Sequence, residues 1–296
     1  MDPGVWRCDP LPWRHAAPSR LVSAGGVRWH VQTQGEGPVM LLVHGAGAST
    51  HSWRRLFPLL ARDFTVMAVD LPGHGLSSRP VSSAAMSLPG MASALDALLE
   101  SLEIRPLVAV GHSAGAAILV AMCLWETLSP ALLIALNGAL LPLPGLRGMF
   151  FSPLAKITAF SGLVPKLCAW RASDTRAMER LIAGTGSRLD AEGVALYQKL
   201  ATHPPHVAAT LEMMAHWDLS RFVRDLPGLS PPLELVVGEN DLAVLPRQAA
   251  EAAALLRRVT LHRLKGLGHL AHEEDPEGVA SLIKRLCAHH GLLAHA

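Results

Sequence analysis

The pentapeptide GHSAG at 111–115 constrains this chain more than any other feature. It follows the apolar run Pro106–Val110 and opens into the helix-like stretch Ala114–Thr127. Flanking glycines permit a tight, strained strand–turn–helix junction, so that a serine at its apex presents its hydroxyl above the edge of a sheet. At average glycine and serine usage, a G-x-S-x-G arises by chance in roughly one in ten chains this long. The rest of the chain must therefore supply the partners such a serine needs.

The partners follow in order. Downstream, an apolar strand Leu233–Val237 ends in Gly238-Glu239-Asn240-Asp241. A second strand, Val259–Leu264, leads into a glycine-rich loop carrying His269. Upstream, the strand Val39–Val43 precedes His44-Gly45-Ala46-Gly47. An acid and a histidine on loops after later strands, in the order Ser, acid, His, are the arrangement of the α/β-hydrolase fold. The expectation is an eight-stranded, mostly parallel sheet with helices on both faces and an inserted helical cap.

The remaining elements agree. Residues 1–20 read as an irregular arm, Val27–Thr33 begins the sheet, and Phe64–Val69 is a further strand ending in the loop DLPGHGLSS at 70–78. Leu88–Leu102 has helical periodicity, and Ala131–Leu136 is a strand. Strand and helix alternation stops between Asn137 and about Asp218, in a segment broken by prolines. The division expected is core at 1–137, lid at 138–218 and core again at 219–296. Half of the 296 residues are hydrophobic and 17% are charged, which suits one large core with an insertion. The net charge of +2 gives no electrostatic reason to expect nucleic acid. Cys8, Cys123, Cys168 and Cys287 lack paired spacing and read as thiols of a reducing compartment. The N-terminus has prolines and charges where a signal peptide needs an apolar run, so a cytoplasmic location is expected.

Each expected site residue has a chemical reason. A serine hydroxyl is a poor nucleophile, so His269 takes its proton during attack and returns it to the leaving group. Asp241 fixes the histidine tautomer. Backbone N–H groups of Ala46 and Ala114 are the expected oxyanion donors. Glu239 competes with Asp241, which is favoured because it lies deeper in the loop. His262 and His272 compete with His269, which the Gly266-x-Gly268 loop favours. A serine at the apex speaks against haloalkane dehalogenase and epoxide hydrolase chemistry, which use aspartate there. Esterase, thioesterase, amidase, perhydrolase and carbon–carbon bond hydrolase activities stay open.

Residues 131–170 carry Arg147, Lys156 and Lys166 but no acidic residue. Either this part of the lid packs its apolar faces onto the core, or some of that surface contacts a hydrophobic substrate or a membrane interface. Met149, Phe150 and Phe151 are the residues expected at such a surface. His112, Met149, Phe150, Met214 and Trp217 are expected to line the substrate pocket or lid. The fifteen histidines raise the question of a metal, but HPPH at 203–206 and His216 resemble no metal motif, and no metal or cofactor is expected.

Residues 19–78, with MSLPGMASALDALL, VGHSAGAAILVAMCL, LNGALLPLPG, LIAGTGSRLDAEGVALY and LKGLGHLAHEEDPE, resemble the magnesium-chelatase accessory proteins of bacteriochlorophyll-producing bacteria. The similarity runs from about residue 19 through the lid, whose pieces LNGALLPLPG and GTGSRLD are its most specific part. The resemblance implies an α/β-hydrolase fold and a role near magnesium insertion into protoporphyrin IX. It also implies a tetrapyrrole-like ligand and magnesium-chelatase subunits as partners, with a place at the periphery of the photosynthetic membrane. Two functions are compatible with it: a hydrolase of an ester or related acyl bond, and a non-catalytic porphyrin-binding accessory protein.

Overall fold

Strands such as Val39–Val43 are apolar at every position because both faces of the sheet they enter are covered. The computed structural model describes residues 18–142 and 163–293. Its eight strands are β1 (Ser19–Ala24), β2 (Val27–Gln34), β3 (Val39–Val43), β4 (Thr65–Val69), β5 (Val108–His112), β6 (Leu132–Leu136), β7 (Leu233–Gly238) and β8 (Val259–Leu264). They form one sheet in the order β1-β2-β4-β3-β5-β6-β7-β8. β2 is antiparallel to both neighbours, and every pairing from β4 to β8 is parallel.

Alternate side chains divide between two cores, as the strand period of two demands. Leu41, Val43, Met67 and Val69 join one cluster with Leu95 and Leu98 of the helix Leu88–Ser101 and Ile118 and Met122 of the helix Ala114–Leu124. Met40, Leu42, Val66 and Ala68 join the other, with Trp53, Phe57 and the Val279 and Ile283 faces of the helix Pro276–His289. Helices therefore cover both faces, as expected of the α/β-hydrolase fold.

Two expectations need correction. The sheet begins at Ser19, not Val27, so Ser19 and Arg20 belong to a strand and not to an irregular arm. β1 and β2 form a hairpin through Gly25 and Gly26 at φ 57° and 76°, which suits a two-residue turn that needs positive φ twice. As a half-exposed edge strand, β1 carries no apolar run to announce it. The helix after Ser113 ends at Leu124 instead of Thr127, where Glu126 turns to φ 60°.

Between β6 and β7 the described chain is helical, with helices at Leu163–Ala172, Thr175–Ala183, Ala191–Ala201, Pro204–Ala215 and Ser220–Asp225. The helix Pro204–Ala215 rests on the loops at the carboxyl ends of β3 and β4. A Cβ on Gly73 would meet Ala209 at 2.5 Å, and Arg79 grips buried Glu212 through two bonds of 2.8 and 2.7 Å. Among the described residues, no helix is long and apolar enough to cross a membrane.

Asp70, at the end of β4, organises these loops from inside. Its carboxylate is fully buried and accepts bonds from His30 Nδ1 (2.8 Å), Thr50 N (2.6 Å) and Leu76 N (2.8 Å). Burial alone raises its pKa, but the His30 ring and these N–H donors outweigh that and hold it far below the usual carboxylate range. The stability it contributes is thus present above the unfolded-state value of about 4 and is lost as pH falls through the lower folded value. Asp70→Asn should cost about 3 kcal/mol at pH 7. Urea unfolding of the variant should also lose part of the acid-induced fall in stability that the parent shows below about pH 4. Equal acid slopes in the two proteins would contradict this role.

Candidate active site

The strand β5 turns directly into the helix Ala114–Leu124 at Ser113, whose backbone sits at φ 51° and ψ −117°. An L-residue reaches that region only when its surroundings enforce it. Here the enforcement is close packing. A Cβ on Gly115 would lie 2.2 Å from the Val43 carbonyl oxygen, and one on Gly111 would lie 2.5 Å from the Ala116 backbone. Both glycines are therefore required by contact. Ser113 is half-buried between them.

The loop after β7 buries Asp241 and leaves Glu239 exposed, which separates the two competing carboxylates. Asp241 Oδ1 accepts from the backbone N–H groups of Ala243 and Val244, both at 2.8 Å. Its Oδ2 accepts from Asn137 Nδ2 at 2.7 Å and from His269 Nδ1 at 2.8 Å. A carboxylate so bonded accepts from Nδ1–H and so holds the imidazole proton on Nδ1, leaving Nε2 with its lone pair to act as a base. The other two histidines are engaged elsewhere. His262 bonds Glu234 at 2.7 Å on the far edge of the sheet, and His272 packs at a tilt between Trp53 and His112, 4.6 Å from each ring.

His44 determines how the loop after β3 is presented. The Leu71 N–H donates to its Nε2 at 2.9 Å, so its proton resides on Nδ1 and is donated to the Gly45 carbonyl at 2.7 Å. Burial lowers its pKa and keeps it neutral. In a planar trans peptide the C=O and N–H point in opposite directions, so holding Gly45 O aims the N–H of Ala46 the other way. Ala46 is exposed, and a Cβ on Gly45 would stand 2.9 Å from Ser113 Cβ. Neither the Ala46 nor the Ala114 N–H donates to a backbone carbonyl among the described residues.

His112 is buried beneath the site. Its Nε2 donates to the His269 carbonyl at 2.9 Å and the two rings lie 4.8 Å apart. Burial pushes its pKa well down, so it acts as a neutral clip on the His269 loop. Met214 is half-buried on the helix Pro204–Ala215, and Trp217 packs against the larger core cluster. Met149, Phe150 and Phe151, with Arg147 and Lys156, lie outside the described residues.

Sequence reasoning missed two contributors. Asn137, at φ 49°, bridges Asp241 and the Gly268 carbonyl (3.2 Å), and its only sequence signal is a polar residue directly after an apolar strand. The second is a buried group in which Arg54 and the Tyr197 hydroxyl (2.8 Å) both bond Glu273, four residues past His269. Burial pushes Glu273 up to about 7 against the pull of Arg54. Among the described residues, no group of three or more His, Cys, Asp or Glu is arranged to hold a metal.

The alpha/beta hydrolase family pattern matches residues 40–282. The magnesium-chelatase 30 kDa subunit of Rhodobacter capsulatus is 38% identical over 286 residues, covering 96% of this chain and 98% of that protein. A pimeloyl-acyl-carrier-protein methyl ester esterase of Methylococcus capsulatus is 27% identical over 266 residues, covering 87% of this chain and 98% of that one. The crystal structure of an alpha/beta hydrolase fold protein from Burkholderia ambifaria matches with a TM-score of 0.74 at 25% identity, over 89% of this chain and 96% of that chain. The chain belongs to the alpha/beta hydrolase family, and within it resembles the magnesium-chelatase 30 kDa subunit along nearly its whole length.

Proposed function

We propose that this protein is a serine hydrolase that cleaves an ester or related acyl bond of a hydrophobic metabolite, in bacteriochlorophyll biosynthesis near the magnesium-chelatase step. The observation that carries the reading is the buried Asp241–His269 pair at 2.8 Å on the same sheet edge as a strained Ser113. In the mechanism, Ser113 Oγ attacks the acyl carbon while His269 Nε2 takes its proton. The negative oxygen of the tetrahedral intermediate accepts from the N–H groups of Ala46 and Ala114. Collapse expels the alcohol, which takes the proton from His269. Water then attacks the acyl-serine with His269 again as base, releasing the acid and restoring Ser113.

The substrate class is supported by kinship and by chemistry. One relative is named for a methyl ester and the other for a magnesium chelatase, and tetrapyrrole intermediates include large apolar rings bearing carboxylates or a methyl ester. A second reading rests on the 38% identity to a chelatase subunit: a non-catalytic accessory that binds porphyrin and assists magnesium insertion, with chelatase subunits as partners. Peripheral membrane contact through the lid fits either reading. On the helix Leu163–Ala172, Leu167 and Trp170 are 59% and 68% exposed beside exposed Lys166 and Arg171, a mixture that suits an anionic lipid surface.

Hydrolysis of p-nitrophenyl butyrate should be lost in Ser113→Ala and His269→Ala, and kcat should fall about 10⁴-fold in Asp241→Asn. In a bacteriochlorophyll-producing host deleted for this gene, Ser113→Ala should fail to restore pigment. Restoration by that variant would instead establish the accessory reading. For the lid, the protein should co-float with vesicles containing phosphatidylglycerol at low salt, and Trp170→Ser with Leu167→Ser should weaken this several-fold. Parent protein that stays at the bottom of the gradient would rule out the membrane contact.

A further inference from the structure

The loop Gly45–Gly47 supplies one of the two oxyanion donors in the reading above, and its backbone is held by bonds of two different origins. The Gly45 carbonyl accepts from His44 Nδ1 at 2.7 Å and from Ala48 N at 3.3 Å, both local. The Gly47 carbonyl instead accepts from His206 Nε2 at 3.2 Å, across 159 residues, from the helix Pro204–Ala215. Gly47 sits at φ 75° with no side chain, so the plane of its carbonyl is held by this bond on one edge and by the Ala48 N–H to Gly45 carbonyl bond on the other.

His206 is suited to this task. The residue is 3% exposed, and its Nδ1 accepts from the Gly75 N–H at 3.2 Å. A ring nitrogen that accepts an N–H carries a lone pair, so the proton lies on Nε2, facing Gly47. Burial pushes its pKa down to about 4, so this tautomer persists at neutral pH. A single neutral imidazole thus clamps the loops after β3 and β4 to the same helix. The helix is seated around it by Thr210, whose hydroxyl lies 3.4 Å from His74 Nε2, and by the Arg79–Glu212 fork.

We propose that His206 is a positioning residue for the oxyanion hole: by holding the Gly47 carbonyl it fixes the peptide whose Ala48 N–H donates to the Gly45 carbonyl, and that carbonyl lies on the same peptide plane as the Ala46 N–H, so seating of the helix and completion of the hole are one event. The inference rests on the serine-hydrolase reading, because it needs Ala46 as a donor. It assigns to the helix Pro204–Ala215 a role as a fixed wall of the site.

Two amide variants separate the functions of the ring. The nitrogen of Gln replaces imidazole Nε2 and keeps the donor to Gly47, whereas the oxygen of Asn replaces Nδ1 and keeps only the acceptor for Gly75. With p-nitrophenyl butyrate, His206→Asn should lower kcat by about 10- to 100-fold with KM within twofold, part of the loss seen when an oxyanion donor is removed. His206→Gln should recover kcat to within about threefold of the parent on the same basis. Hydrogen–deuterium exchange of the Ala46–Ala48 amides should quicken in Asn and not in Gln. If Asn does not fold, His206→Phe keeps a ring without either bond and carries the same expectation.

Equal kcat and equal loop exchange in Asn, Gln and the parent would overturn the proposal while leaving the hydrolase reading intact. A parent protein with no Ser113-dependent turnover would overturn both.

Discussion

Ser113 is held at φ 51° and ψ −117°, a backbone state that costs an L-residue about 1–3 kcal/mol, by bonds and contacts on every side. Its N–H donates to the Leu136 carbonyl at 3.0 Å, and its carbonyl accepts from Ala116 at 3.2 Å and Ala139 at 3.1 Å. Because Ala139 follows β6, the turn at Ser113 is welded to the neighbouring strand's exit as well as to its own helix. The helix in turn approaches β3 so closely that only glycine fits at 115. The position of the serine is therefore a property of three strands at once, and the loops that carry Ala46, Asp241 and His269 are built around it.

The same region is rich in histidine, and the rings are used in a consistent way. His44, His112 and His206 each bond backbone groups of a loop beside the site, and burial lowers the pKa of all three. A neutral imidazole can donate from one nitrogen and accept at the other, so it can join two backbone segments without placing a charge in a low-dielectric interior. Lysine and arginine could not do this. Of these rings His269 is paired with a carboxylate, Asp241, which sets it apart from His44, His112 and His206.

Much of this was legible in the sequence because it is local. GHSAG announces a strand, a turn and a helix within five residues, and the strands Val39–Val43 and Val259–Leu264 run over the residues their apolar or alternating patterns suggest. The pairing of Asp241 with His269 was accessible because both close β-strands of one sheet. What was hidden is non-local or lacks periodicity. β1 is an edge strand whose side chains bury little, so no alternation marked it. Asn137 acts on a carboxylate 104 positions away, and His206 on a loop 159 positions away. Nothing in either local sequence indicates such a partner, and both depend on how the helices between β6 and β7 and the late strands fold back.

The central claim is that Ser113, His269 and Asp241 form one reactive unit, and a fluorophosphonate probe tests it on the intact protein. Such a probe phosphonylates a serine only when a base removes its proton and donors receive the developing charge on the phosphoryl oxygen. The account predicts a single modified peptide containing Ser113, with the label abolished in His269→Ala although that variant remains folded. A folded parent protein that takes up no label, or one labelled at another residue, would contradict it.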